Sequence, residues 1–143
     1  MKGRKFKFAD EGATLTVPEK HKKLRAVKRP VGKMADMKSK SGKFKPWRLV
    51  INFEMEDEDS PGTFVSKFDD PLELRVRFTK KDIKKADEAK KPLRLGYWDG
   101  SDWVIFGVKK HKFEQVSDAD AASGGELVVQ LSQWADPPIG IGI

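Results

Sequence analysis

The sequence Leu72-Glu73-Leu74-Arg75-Val76-Arg77-Phe78 alternates strictly between apolar and charged residues. Successive side chains of a β-strand point to opposite faces, so this stretch predicts a strand with one apolar and one charged face. Two further apolar runs, residues 93–98 and 103–106, are joined by Asp99-Gly100-Ser101-Asp102. Asp-Gly between apolar runs is a strong signal of a β-hairpin. The region therefore predicts a sheet with one buried face.

A basic polar segment, residues 79–91, separates the strand from the hairpin. Thr79 and Asp82 have the spacing of a capping box in its acidic form, which predicts a helix start. Ile83, Ala86 and Ala89 recur at helical spacing, and Pro92 ends the pattern. One short helix is therefore expected between the strands.

The rest of the chain reads as short strands spaced by turns. Residues 47–55 predict one strand, with Trp47, Leu49, Ile51, Phe53 and Met55 on one face. Residues 31–46 hold five lysines, and they predict a long, mobile, basic loop with little to bury. Residues 139–143 read as a Gly/Ile tail. Eight or nine strands in a single domain over residues 1–143 favour an all-β fold, an antiparallel sandwich of two sheets with one short helix.

Composition excludes several classes of protein. The chain has 143 residues and no cysteine, which suits one domain without a disulfide framework, zinc finger or thiol chemistry. No apolar run approaches the ~20 residues that cross a bilayer. No signal peptide is visible after Met1, so the expected compartment is the cytoplasm, or an extracytoplasmic one if a leader has been removed.

The positive charge is concentrated near the beginning of the chain. Residues 1–50 hold 16 Lys and Arg against 4 Asp and Glu, a net charge of +12, whereas residues 51–143 hold 13 against 18, a net of −5. The asymmetry indicates either a surface for an anionic partner or two faces of one fold with complementary charge. The candidate anion-binding residues lie in the predicted loop: Lys33, Lys38, Lys40, Lys43 and Lys45.

No catalytic motif is recognisable, and we expect neither an enzyme nor a cofactor. The two histidines, His21 and His111, each lie among lysines, without a nucleophile elbow or a Gly-rich phosphate loop in the chain. The acidic run 54–59, with Asp69 and Asp70, has the oxygen ligands that Ca²⁺ prefers but not the spacing of an EF-hand. A solvated acidic loop is the alternative, and no metal site is predicted.

Two tryptophans are candidates for contact with a ligand. Trp98 is out of phase with Leu93, Leu95 and Tyr97, so it should lie on the opposite face of its strand. An exposed aromatic ring there could stack on a sugar, and Trp103 is the second candidate for such contact.

Two segments resemble known β-sandwich domains. Gly12-Ala13-Thr14-Leu15-Thr16-Val17-Pro18 is similar to the opening strand of the ZU-type sandwich of ankyrins and netrin receptors. The segment from Phe78 to Trp103, with Leu93-Arg94-Leu95-Gly96-Tyr97-Trp98-Asp99-Gly100, resembles a recurrent segment of bacterial surface and exported proteins. The resemblance implies an immunoglobulin-like or ZU-like sandwich with no catalytic residues.

Three functions remain open from the sequence. The first is a non-catalytic structural or protein-interaction module whose partner is another protein. The second is a carbohydrate-binding module that uses Trp98 and Trp103. The third is a domain that docks onto nucleic acid or another polyanion through its basic half.

Overall fold

The computed structural model describes residues 3–106, 113–117, 125–134 and 138–143, and for 113–117 the backbone alone. It confirms an antiparallel all-β fold with one short α-helix in this part of the chain. The helix is α1 (Lys80–Ala89). The strands are β1 (Arg4–Phe8), β2 (Ala13–Val17), β3 (Leu24–Lys28), β4 (Pro46–Ile51), β5 (Phe53–Asp57), β6 (Phe64–Val65), β7 (Lys67–Phe78), β8 (Arg94–Trp98), β9 (Trp103–Ile105), β10 (Phe113–Ser117), β11 (Gly125–Gln133) and β12 (Ile139–Gly142).

The described strands form three sheets, where the sequence predicted two. A five-stranded sheet has the order β1-β2-β7-β11-β10, a four-stranded sheet the order β4-β12-β8-β9, and a three-stranded sheet the order β3-β5-β6. The additional sheet arises because residues 47–55 do not form a single strand. The chain leaves the four-stranded sheet after Ile51, passes through Asn52 and enters the three-stranded sheet at Phe53.

The alternating stretch that predicted the fold lies at the centre of the five-stranded sheet. β7 pairs with β2 on one side and with β11 on the other. Leu72, Leu74, Val76 and Phe78 are buried in the core, as the alternation predicts. Leu127, Val129 and Leu131 of β11 are buried beside them. The predicted hairpin is also present, with Trp98 opposite Trp103 across the Asp-Gly turn.

The Gly/Ile tail is an inner strand of the four-stranded sheet. β12 pairs with β4 and with β8, and Ile139 and Ile141 are fully buried in the core. Two register shifts in the β4–β12 ladder change the phase of β4. Leu49 therefore packs on the outer face of this sheet, contrary to the prediction that it shares a face with Ile51.

The three sheets enclose one main core, in which Trp134 lies among aromatic rings. Its ring stacks on Phe53 at 5.2 Å between centroids and on Phe106 at 6.1 Å, and Tyr97 meets it edge-on. The indole N–H of Trp134 donates to the buried carbonyl of Phe53 at 2.9 Å. The Trp134 ring thereby contacts both Phe53 of the three-stranded sheet and Tyr97 of the four-stranded sheet.

The predicted helix is present with its capping box. The Thr79 hydroxyl accepts from the backbone N–H of Asp82, and the Asp82 carboxylate accepts from the backbone N–H of Thr79. The same carboxylate accepts from Trp47 Nε1 at 2.8 Å and from Arg48 Nη2 at 2.7 Å. Asp82 therefore holds the helix against β4. No helix among the described residues has the length and apolarity needed to span a membrane.

Candidate anion-docking surface

The outer face of the four-stranded sheet is unusually flat because three glycines lie on it. Gly96 of β8 is opposite Gly140 of β12, and Gly142 follows two residues later on the same face. A Cβ at Gly96 would lie 2.6 Å from the Phe44 ring, and one at Gly142 would overlap the Lys45 carbonyl. The missing side chains therefore let residues 31–46 approach the sheet closely.

Residues 31–46, called the lysine loop below, cover this flat face. Phe44 is fully buried, and it forms a second apolar cluster with Met37 and Trp103, separate from the main core. The indole N–H of Trp103 donates to the Met37 carbonyl at 2.6 Å. The prediction that this loop has little to bury was wrong, because only the tertiary structure provides the flat surface on which Met37 and Phe44 pack. Its predicted mobility stays a prediction.

Asp102 anchors the middle of the lysine loop. Its carboxylate accepts the backbone N–H groups of Lys40 at 2.9 Å and Ser41 at 3.1 Å. A third backbone N–H, that of Trp103, donates to it at 2.8 Å. These bonds, that of Lys40 foremost, lower the pKa of Asp102 from 3.8 to about 2, because they stabilise the ionised form. Asp102 is therefore charged at neutral pH and fixes the backbone from which the lysines extend.

All five lysines of the loop are exposed. Within the described residues none of them forms an ion pair. Against one acidic residue of its own, Asp36, the loop therefore carries five exposed lysines without an ion-pair partner among the described residues: Lys33, Lys38, Lys40, Lys43 and Lys45.

Many basic residues outside the lysine loop, by contrast, meet carboxylates. Arg4, Lys20, Lys23, Lys28 and Arg48 form ion pairs with described acidic residues. Within the described residues, most basic residues before position 30 are paired with carboxylates, whereas the lysine loop has no ion pair. Complementary charge within the fold therefore accounts for part of the asymmetry, and a surface for an anionic partner stays a prediction.

The acidic run 54–59 supplies much of this neutralisation. Glu54 accepts from Arg29 at 2.6 Å, and Glu56 accepts from Arg25 Nε at 2.6 Å. The backbone N–H of Gly62 and the Arg25 guanidinium lower the pKa of Glu56. Glu58 and Asp59 pair with Arg4 and Lys23. No group of three potential metal ligands comes together among the described residues.

The two candidate tryptophans lie on the outer face, but neither is fully exposed. Trp98 is on the opposite face from Tyr97, as its phase predicts, and it is half-buried against Trp103 with ring centroids 5.8 Å apart. Trp103 is only 3% exposed, because the lysine loop covers it. Trp103 therefore helps to hold the loop, and ligand contact by Trp98 stays a prediction.

The candidate catalytic histidines do not complete a site in the part of the chain that is described. His21 Nε2 lies 2.8 Å from Asp69 Oδ1, and the ring meets Phe68 edge-on. A shallow pocket of about 260 Å³ beside His21 has no hydroxyl-bearing residue among its described lining residues. His111 lies outside the described residues.

A groove of about 240 Å³ runs between the lysine loop and β9. Ser41 and Lys43 line it on the loop side, and all three residues of β9 line it on the sheet side. Asp99 and Asp102 lie at its turn end, where their carboxylates accept backbone N–H groups. The sequence prediction missed this groove and Asp102, because neither follows from local pattern.

Comparison of the chain with protein-family models, curated protein sequences and solved structures found no match. The resemblance to ZU-type and immunoglobulin-like sandwiches therefore stays a prediction.

Proposed function

We propose that this protein is a non-catalytic interaction module that docks onto an anionic macromolecular partner through the lysine loop. The observation that carries the proposal is the contrast between two sets of cations. The five loop lysines are exposed and unpaired within the described residues, whereas Lys20, Lys23 and Lys28 each meet a carboxylate. Unpaired charge on one surface attracts oppositely charged partners and accelerates their association.

The anchoring of the loop supports the same function. Phe44 packs against Gly96, and Asp102 holds the backbone of Lys40 and Ser41. A surface whose backbone is already ordered loses less conformational entropy when a partner binds. Lysine side chains on an anchored backbone can therefore bind an anionic surface without first folding the loop.

A carbohydrate-binding function has less support from the geometry. Sugar stacking needs an open aromatic face, and the lysine loop covers Trp103. Trp98 retains a partly exposed ring. Tryptophan fluorescence during a glycan screen tests this alternative, which requires a saturable change that the Trp98→Ala variant lacks.

The proposal is tested by binding of two fluorescein-labelled probes, polyglutamate and a single-stranded DNA oligonucleotide, at a series of salt concentrations. The loop variant carries Lys38→Gln, Lys40→Gln and Lys43→Gln. The control variant carries Lys20→Gln, Lys23→Gln and Lys28→Gln, which removes the same charge from paired positions.

We expect the loop variant to bind at least one probe about tenfold or more weakly at low salt, with a smaller change in the control. For the oligonucleotide, the slope of log affinity against log salt should fall by about one for each lysine that contacts phosphate. Equal losses in the two variants, or no binding of either probe at low salt, contradict the proposal.

A further inference from the structure

One backbone edge of β9 is unpaired in the described structure. β9 is the last strand of the four-stranded sheet and pairs there only with β8. The Phe106 N–H donates to the Leu95 carbonyl at 3.0 Å, and the Asp99 N–H donates to the Asp102 carbonyl at 3.0 Å. Hydrogen-bonded pairs alternate along an antiparallel ladder, so Val104 faces β8 with its backbone groups.

The backbone groups of Trp103 and Ile105 consequently point away from β8. The Trp103 N–H is bound by the Asp102 carboxylate at 2.8 Å. The Ile105 N–H, the Ile105 carbonyl and the Trp103 carbonyl have no hydrogen-bond partner among the described residues. Trp103 and Ile105 line the same groove as Lys43. An extended peptide can pair with such an edge by adding a strand to the sheet.

The side chains of β9 leave this edge unprotected. Proteins commonly block edge strands with charged residues, and the edge strand β1 follows this rule with Arg4, Lys5 and Lys7. β9 consists of Trp103-Val104-Ile105 and has no charge. The edge of β1 is therefore blocked by charge, whereas the edge of β9 is open to a partner strand.

Charge decides which strand fits. Side chains of an added strand that point to the outer face come beside the lysine loop, where Lys43 lines the groove. A second copy of this chain would bring a second lysine loop to the same place, and the like charges would repel. Asp99 and Asp102 also line the groove at its turn end, but their carboxylates already accept backbone N–H groups, whereas Lys43 has no ion-pair partner among the described residues. Acidic side chains on that face of the added strand are therefore attracted where they lie beside Lys43, and apolar side chains suit the other face beside half-buried Val104.

Nucleic acid fits this edge less well. A nucleic acid has no peptide backbone to pair with β9, and single strands bind mainly by stacking bases on aromatic rings. The exposed large hydrophobic residue among those described, Phe64, lies on the three-stranded sheet, and the nearer Trp98 ring is half-buried against Trp103.

We propose that the partner is an extended peptide segment with alternating acidic and apolar residues, which adds to the sheet as a strand beside β9. This inference rests on the proposed function, because it uses the lysine loop as the source of attraction. It further assigns the recognition of the peptide backbone to the Ile105 N–H and to the carbonyls of Trp103 and Ile105.

The test uses a fluorescein-labelled octapeptide of alternating glutamate and valine. The matched control peptide has the same sequence with N-methyl groups on alternate backbone nitrogens, so it keeps the charge and loses donors to the edge. Binding of both peptides, and of an oligonucleotide of equal charge, is measured by fluorescence anisotropy with the full chain. We expect the unmodified peptide to bind about tenfold more tightly than the methylated peptide.

Two variants of Ile105 test the edge from the side of the protein. Ile105→Pro removes the outward N–H, at an edge position where proline leaves the ladder to β8 intact. Ile105→Ala loses side-chain packing but keeps the N–H. Circular dichroism checks the fold of both. We expect Ile105→Pro to weaken binding of the unmodified peptide about fivefold more than Ile105→Ala does.

The outcomes separate this inference from the proposed function. Three outcomes overturn strand addition while leaving docking by the lysine loop in place. They are equal binding of the two peptides, tighter binding of the oligonucleotide than of the unmodified peptide, and a dimer that forms without peptide and that Ile105→Pro dissociates. Failure of all three anionic probes to bind at low salt overturns both. Weaker binding of the methylated peptide than of the unmodified peptide supports strand addition even if Ile105→Pro does not fold.

Discussion

Replacing Asp82 with asparagine tests how far one buried carboxylate stabilises the junction between α1 and β4. The side chain is 3% exposed, and it accepts hydrogen bonds from Trp47, Arg48 and the Thr79 backbone. Burial by itself raises the pKa of Asp82, but the hydrogen bonds from Arg48, Thr79 and Trp47 outweigh it and lower the pKa from 3.8 to about 2.

The magnitude follows from linkage between protonation and folding. A folded pKa below the unfolded value means that the ionised carboxylate stabilises the native state. Each pKa unit corresponds to about 1.4 kcal/mol, so the shift of Asp82 contributes roughly 2 kcal/mol to the free energy of unfolding at neutral pH. This contribution is complete above a pH of about 4, and it is lost as the pH falls toward 2.

The measurement is urea unfolding of the wild type and of Asp82→Asn at pH 7 and at several values between pH 4 and 2. We expect Asp82→Asn to lower the free energy of unfolding by about 2 kcal/mol at pH 7, and the difference to shrink as the pH falls. The control is Asp87→Asn, an exposed position on the same helix, with an expected change within about 0.5 kcal/mol. A pH-independent difference, or equal effects of the two substitutions, refutes the argument.

Two further substitutions test how the lysine loop is held. Gly96→Ala places a Cβ 2.6 Å from the Phe44 ring, and we expect it to lower the free energy of unfolding by about 1–3 kcal/mol. The control is Gly125→Ala, whose Cβ would lie 3.6 Å from its nearest neighbour and should change the free energy of unfolding less. Urea unfolding followed by circular dichroism measures both, and equal effects would argue against close packing of the loop. Asp102→Ala removes the acceptor of the Lys40 N–H, so hydrogen exchange at that amide should become faster while exchange in β7 is unchanged. Unchanged exchange at Lys40 would show that Asp102 does not anchor the loop. Because the pKa of Asp102 is about 2, we also expect its carboxylate to hold the Lys40 N–H in the wild type down to a pH near 2.

Local patterns in the sequence predicted much of the secondary structure. Alternation predicted the buried face of β7, the Asp-Gly turn predicted the β8–β9 hairpin, and the Thr79–Asp82 spacing predicted the start of α1. These features depend on residues close together in the chain, where strand period, turn geometry and capping act directly. The phase of Trp98 relative to Tyr97 was predictable for the same reason.

The candidate surface was only partly predictable. The five lysines could be listed from the sequence, but their lack of ion-pair partners among the described residues depends on which distant carboxylates the fold brings near them. The pairing of Arg29 with Glu54, for example, follows from the pairing of β3 with β5. Anchoring of the lysine loop by Asp102 likewise joins residues about sixty positions apart.

The sequence by itself determined that this chain forms antiparallel strands with one face buried, and it located one helix and one hairpin. Only the tertiary structure decided that the described strands form three sheets, that β12 is an inner strand, and that the lysine loop lies over Gly96 and Gly142. The physical reason is that periodicity fixes which side of a strand is apolar, whereas the choice of neighbouring strand depends on packing and hydrogen bonds between segments far apart in the chain.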